Sequence, residues 1–389
     1  MKLTQNRLGE LAKLFLKLGL IGFGGPAAHI AMMEDEVVSR RQWLTKEHFL
    51  DLVGATNLIP GPNSTEMAIH VGYVLEQWWG LVVAGVCFIL PAALITGGLA
   101  WVYVALGKLP QVTPFFYGVK PAVLAVILNT VWRLGKKAVK NRQLLLIGLA
   151  VIMGIFLRLN EVFALFLGGI LGMFWLQFGS GASLGVLVPL SFLSQLPTNH
   201  ISAFREGGVG GTPLWQVGLF FLKVGSVLFG GGYVLIAFLQ EGLVDKLHWL
   251  TQQQLLDALA IGQFTPGPVL STATFIGYVI AGVPGAIVAT VGIFLPSFFF
   301  VAILNPLIPR LRSSKWMASF LDAINVSAIA LMVTAMIKLA QGILLLPDGI
   351  DAKAALIALC AAILVRSWQV NAAGIILGGA AVGWLLQLV

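Results

Sequence analysis

One unit is written twice in this chain. "FLKLGLIGFGGPAAHIAMMEDEVV" from Phe15 returns as "FLKVGSVLFGGGYVLIAFLQEGLV" from Phe221, 206 residues on. At that offset Lys17 meets Lys223, and Phe23-Gly24-Gly25 meets Phe229-Gly230-Gly231. Trp43-Leu44-Thr45 meets Trp249-Leu250-Thr251, Asp51 meets Asp257, and Pro60-Gly61-Pro62 meets Pro266-Gly267-Pro268. One residue then drops out, and at offset 205 Gly72-Tyr73 meets Gly277-Tyr278 and Pro91 meets Pro296. Near the ends, Leu167-Gly168-Gly169 meets Leu377-Gly378-Gly379 at offset 210. Whatever fold forms must therefore be built from two copies of one unit. The expected division is a first repeat over 1–179, a linker over 180–212 and a second repeat over 213–389. The linker contains "PTNHISAFREGGVGGTP", rich in Ser, Gly and Pro.

Both units read as lipid-embedded. Of 389 residues, 58% are hydrophobic and 10% charged, where a soluble domain carries roughly 25% charged residues. Apolar runs recur around 80–106, 112–132, 143–157, 161–178, 284–304, 318–345, 354–365 and 372–389, of the length a bilayer demands. The net charge of +8 does not argue for nucleic acid, because the basic residues sit in short loops between apolar runs, where membrane orientation puts them. Cys87 and Cys360 are too few for a disulfide framework or a metal cluster, and are expected as buried thiols in spanning helices. The first 30 residues resemble a signal peptide, but the same stretch recurs in the second half and so belongs to the fold.

Loop charges orient the repeats. "RLGKKAVKNR" (133–142) holds five Lys/Arg, whereas its partner around 338–353 is mostly "QGILLLPDGID". The loop near Lys108 is poor in charge, whereas its partner "RLRSSK" (310–315) holds three Lys/Arg. The basic loops have changed places, so the repeats are expected to be inverted relative to each other. The expected fold is an all-α polytopic membrane protein of two inverted-topology repeats, with broken or re-entrant helices and about ten crossings. The segments 46–75 and 251–282, around the PGP turns, are expected as non-crossing hairpins. The Gly-rich segment 8–38 is either a broken crossing or a second hairpin. The linker and the loops at 39–46, 133–142 and 310–315 are expected on the cytoplasmic side.

Backbone breaks at membrane depth survive only inside protein or beside a wet cavity. Pro60 and Pro62 stop one helix and favour the start of another. That new helix opens at Asn63 with unpaired N–H groups and positive dipole charge, an anion site by construction. Asn63, Ser64 and Thr65 add side-chain groups, and the second copy offers Ser271, Thr272 and Thr274. Gly24, Gly25, Gly230, Gly231 and Gly232 let a ligand approach the amides. The bland alternative is that these Gly and Pro residues merely kink packed helices.

Charges inside a bilayer usually face a site. Lys17 and Lys223 stand six residues before each FGG turn and are candidates to offset an anion, unless they snorkel to the interface. Lys120 has no charged counterpart, since Asn325 stands there, and is a candidate accessory cation. Glu66 lies on the first turn after PGP, where its counterpart is Thr272. It is a candidate coupling carboxyl, or simply an acid at a helix start. Asp51 and Asp257 recur in both halves and are candidates for coupling or for bracing the hairpins. Glu34 and Glu241 read as interfacial, His29 and His70 as structural, and Arg40 and Arg41 as topology charges. No Ser-His-Asp set, metal-ligand spacing or nucleotide-cradling loop emerges, so neither an enzyme nor a bound cofactor or metal is expected.

The duplicated FGG, W-L-T and PGP motifs resemble the chromate ion transporter family in its long, two-domain form, over essentially the whole chain. The resemblance implies chromate efflux across the cell inner (plasma) membrane and chromate resistance, with sulfate as the structural mimic. It implies that Phe23 to Gly25, Phe229 to Gly231, Pro60 to Pro62 and Pro266 to Pro268 carry the function. The second copy departs from the first in having Gly232 where Pro26 stands, and in lacking the acid of Glu66. Amides, hydroxyls and one or two Lys suit a tetrahedral dianion. The expected partners are chromate or a sulfate-like oxyanion and the lipid bilayer, with a homodimer left open. The alternatives are a transporter of sulfate or another oxyanion, a passive channel, and a membrane-embedded lipid-phosphate-handling protein.

Overall fold

A computed structural model describes residues 4–23, 25–106, 113–178, 212–229, 231–304, 314–346, 349–367, 370 and 372–388. Most of the linker, the loop around Lys108 and residues 310–313 lie outside the described residues, as do Gly24 and Gly230. The first repeat runs α1 (Thr4–Ile21), α2 (Pro26–Glu34, continued by a wider turn over Asp35–Arg40), α3 (Lys46–Thr56), α4 (Asn63–Leu106), α5 (Thr113–Ala138), α6 (Arg142–Phe156) and α7 (Glu161–Phe178). The second runs α8 (Leu214–Val227), α9 (Leu235–Leu239, continued over Gln240–Lys246), α10 (Gln252–Phe264), α11 (Thr272–Leu304), α12 (Lys315–Leu344), α13 (Ala352–Ser367) and α14 (Ala372–Leu388). Between α12 and α13, Leu345–Leu346 and Gly349–Ile350 form a two-residue antiparallel pair.

Among the described residues, five segments are long and apolar enough to cross a membrane: Asn63–Leu106, Phe115–Ala138, Glu161–Phe178, Val269–Ile303 and Lys315–Leu344. Large apolar side chains such as Leu94, Trp101, Ile287 and Phe299 stand more than half exposed on them, a surface that only lipid tolerates. Cys87 is half-buried, but Cys360 is exposed on α13. The expectation of two buried thiols fails there, because α13 turns that face outward.

The two longest helices are each folded in two. In α4, Glu76 (φ −140°, ψ 29°) and Gln77 (φ 52°, ψ −135°) leave the helix, and Ala281 and Gly282 do the same in α11. In a straight helix Gly72 and Gly80 would stand about 12 Å apart. Instead a Cβ on Gly72 would collide with the Gly80 carbonyl, and Gly277 meets Gly285 the same way. The chain therefore reverses at 76–77 and at 281–282. The expected hairpins 46–75 and 251–282 end at these reversals.

Inversion is visible in the contacts. At the start of α5, the Tyr117 hydroxyl donates to Asp351, just past the end of α12, at 2.8 Å. Beyond the end of α5, Lys140 Nζ pairs with Asp322 near the start of α12 at 2.6 Å. These two helices are equivalent in the repeats and run in opposite directions. The repeats also exchange their C-terminal helices: α5 packs on α13 and α14, and α12 packs on α6 and α7. Small residues allow the approach. A Cβ on Gly118 would collide with the Gly379 carbonyl, and one on Gly172 would strike Ala323, the close contact that membrane helices favour.

Candidate functional site

Each PGP turn is held by the other repeat's FGG break. The Gly61 N–H donates to the Leu228 carbonyl at 2.8 Å, just before Phe229, and the Gly267 N–H donates to the Gly22 carbonyl at 2.7 Å, just before Phe23. The two FGG breaks are themselves neighbours, because the bare face of Gly25 looks onto the Tyr233 hydroxyl. All four interruptions thus meet between the repeats. Gly61 (φ 144°), Gly267 (φ 93°), Gly25 (φ 80°) and Gly231 (φ 98°) hold the left-handed backbone such turns need.

After the first turn, the Pro62 carbonyl accepts from the Thr65 and Glu66 amides at 2.8 and 3.1 Å. Among the described residues no carbonyl accepts from the amides of Asn63 and Ser64, which open α4. The Asn63 side chain donates to Asn57 at 2.9 Å, while Ser64 and Thr65 are fully buried and the Thr65 hydroxyl has no partner. In the second copy the Ser271 amide returns to Pro268, the Ser271 hydroxyl is buried without a partner, and Thr272 Oγ1 donates to the Val269 carbonyl at 2.8 Å.

The first turn alone is ringed by acid and hydroxyl. Glu66 is fully buried and neither carboxyl oxygen has a partner. A Cβ on Gly61 would collide with Glu66 Oε1 and stand 2.6 Å from the Ser297 hydroxyl, itself buried and unpartnered. Ser297 follows Pro296 on α11. The equivalent residue is Ala92, and the bare face of Gly267 rests on it.

The candidate cations divide. Lys17 Nζ pairs with Glu36 at 2.8 Å, inside a group completed by Arg40 and Arg41, and its hydrogen bond holds the Glu36 carboxyl below its ordinary value. That pair also decides the 8–38 segment: Glu36 returns to the level of Lys17, so α2 and its wider turn fold back beside α1. Lys223 lies within electrostatic reach of Glu161 and Lys246. Lys246 bridges Glu161 and Glu241 at 2.9 and 3.4 Å, and Lys338 bridges Glu241 and Asp245 at 2.6 and 2.7 Å. A cavity of about 10 Å³ sits in this cluster, between Glu161, Gln240, Glu241 and Lys338, room for about one water.

Asp257 is buried on α10, accepts from the Tyr103 hydroxyl at 2.8 Å and lies within reach of Lys120. Asp51, its counterpart, is on an exposed face of α3. His29 is buried with Nε2 against the Gly22 carbonyl at 2.9 Å, so it braces a break. Arg133 reads in the sequence as a loop charge, yet it stands on α5 within electrostatic reach of Tyr233, beside the second FGG break. Ser297 carried no sequence signal except its place after the repeated proline.

Comparison with known proteins agrees with the duplication. The family described as chromate transporter matches residues 9–173 and again 215–384. The chain is 34% identical to the chromate transport protein of Cupriavidus metallidurans over 383 residues, 96% of this chain and 92% of that one. It is 32% identical to the probable chromate transport protein of Synechococcus elongatus over 86% of this chain and 85% of that one. Identity to the chromate transport protein of Pseudomonas aeruginosa is 31%, over 85% and 81%. No solved structure matches.

Proposed function

This chain belongs to the chromate transporter family, and from that premise we propose that it is a secondary active exporter of chromate across the cytoplasmic membrane, conferring chromate resistance. One observation carries the mechanism: the four interruptions of the helices meet between two inverted repeats, each PGP turn tied to the opposite FGG break by one hydrogen bond. Midplane breaks at a repeat interface are where such transporters bind their substrates. The dianion sits against the amides of Asn63 and Ser64 and the unpartnered hydroxyls of Thr65 and Ser271. Gly25 and Gly231 give backbone access, and Pro60, Pro62, Pro266 and Pro268 hold the turns open around Gly61 and Gly267. Lys120 and Arg133 make the surroundings positive, with Asp257 in electrostatic reach of Lys120, while Lys17 and Lys223 stand beside Glu36 and Glu161. Rocking of one repeat against the other breaks the Gly61 and Gly267 bonds on alternate faces, which is alternating access.

The test is radiolabelled chromate uptake into inverted vesicles from cells expressing the chain, with and without excess sulfate. Saturable, energy-dependent uptake that persists in sulfate is the expected result, with the flux lost when Pro60 or Pro266 is replaced. Uptake abolished by modest sulfate would make the substrate a general oxyanion. No uptake would overturn transport.

A further inference from the structure

The two PGP turns share a backbone and differ in chemistry, and we infer that the first alone is the coupling site, with Glu66 as the proton carrier and Ser297 as its partner across the repeat interface. This deepens the reading of the chain as a secondary transporter and rests on it.

Three observations converge. The Glu66 carboxyl is fully buried with both oxygens unpartnered, which a structural acid at a helix start would not be. A second unpartnered buried oxygen, Ser297 Oγ, faces the same bare surface of Gly61. The other repeat puts Thr272 and Ala92 at these positions, so the packing does not demand acid and hydroxyl. A lone carboxylate sealed from water costs far more than the neutral acid unless a cation joins it. Among the described residues no ion pair reaches Glu66. His70 lies one turn on along the same helix and is buried. The helices packed against this segment bring Lys17, held by Glu36, His29, held by Gly22, and Asp51 on its exposed face. Tyr278 is the one ionisable side chain on α11. The carboxyl therefore holds its proton while the Gly61–Leu228 bond is closed. When the repeats separate, water reaches the acid, the O–H bond breaks and the proton leaves to that face. One carboxyl moves one proton per cycle, against chromate.

The full-length chain in sealed proteoliposomes with a lumenal pH dye tests this under a chromate gradient. Wild type should move protons opposite to chromate, and Glu66→Gln should lose that movement. Ser297→Ala, the residue of the other repeat, should raise the pH of half-maximal proton movement by about half a unit to a unit, the value of the one hydrogen bond that the hydroxyl can offer the carboxylate once its proton has left. Proton movement surviving in Glu66→Gln would overturn the assignment, as would dependence on sodium in place of pH. A second arm needs no chromate: a hydrophobic carbodiimide, which attacks protonated carboxyls, should modify Glu66 in membranes, less as pH rises. An unmodified Glu66 at every pH would overturn the proposal even if chromate flux is sound. Modification without chromate flux would leave the proton site standing and overturn the substrate.

Discussion

Gln77 and Gly282 occupy one position in the two repeats, at the reversal of the long helix, with φ 52° and 62°. Glycine takes that conformation without strain, whereas a residue with a Cβ is held there at a cost of about 1–3 kcal/mol. Gln77→Gly should therefore stabilise the protein by about 1 kcal/mol, and Gly282→Gln should destabilise it by at least as much, both read by thermal unfolding in detergent. A reversal in the reverse order would mean that the side chain of Gln77 supports the turn. The same pairing logic exposed Glu66 and Ser297: a residue that breaks the repeat's symmetry and is buried without a partner has been placed for something other than packing. Glu66 was legible as an oddity in the sequence. Its sealed environment was not, because that is made by Ser297, 231 residues away in the chain.

Among elements, the helix starts and the glycine seams were the most readable. The repeated W-L-T ends in a threonine that caps the next helix in both copies. Thr45 accepts from His48, and Thr251 forms a reciprocal pair with Gln254. Thr251→Ala should cost about 1 kcal/mol, and Thr45→Ala somewhat less, since its copy lacks the second bond. The glycines divide by contact. Gly118→Val drives a side chain into the α14 backbone and should sharply lower the folded yield, whereas Gly378→Val meets open space and should be tolerated. Size-exclusion profiles of the two variants check this, and equal behaviour would mean that α5 and α14 do not pack as described. Which glycine is which cannot be read from the run "LGGAAVG" alone, since the exchange of C-terminal helices between repeats decides what each one faces.

For the whole molecule, inversion places the ends of equivalent helices on opposite sides of the membrane. Lys137, at the end of α5, lies in the basic loop that the positive-inside bias assigns to the cytoplasmic side. Lys353, past the end of α12, lies beside Asp351 and the start of α5, at the opposite end. In a background lacking Cys87 and Cys360, a cysteine at Lys353 should react with an impermeant thiol reagent in intact cells, and one at Lys137 only after lysis. Labelling of both from one side would mean that the repeats are parallel.

The sequence by itself determined what local chemistry and repetition can carry. Apolar length committed the helices to lipid, swapped loop charges inverted the repeats, and proline and glycine broke the chain at four places. These are short-range effects, set by the backbone and by solvent. The tertiary structure alone decided which break meets which, because the partner of each PGP turn lies in the other repeat and no local pattern encodes a contact across the interface. It decided equally that Lys17, alike in sequence to a substrate cation, lies beside Glu36, while Arg133, alike to a loop charge, lies within electrostatic reach of Tyr233. A charge declares its sign in the sequence, but its neighbours are set only when the helices pack.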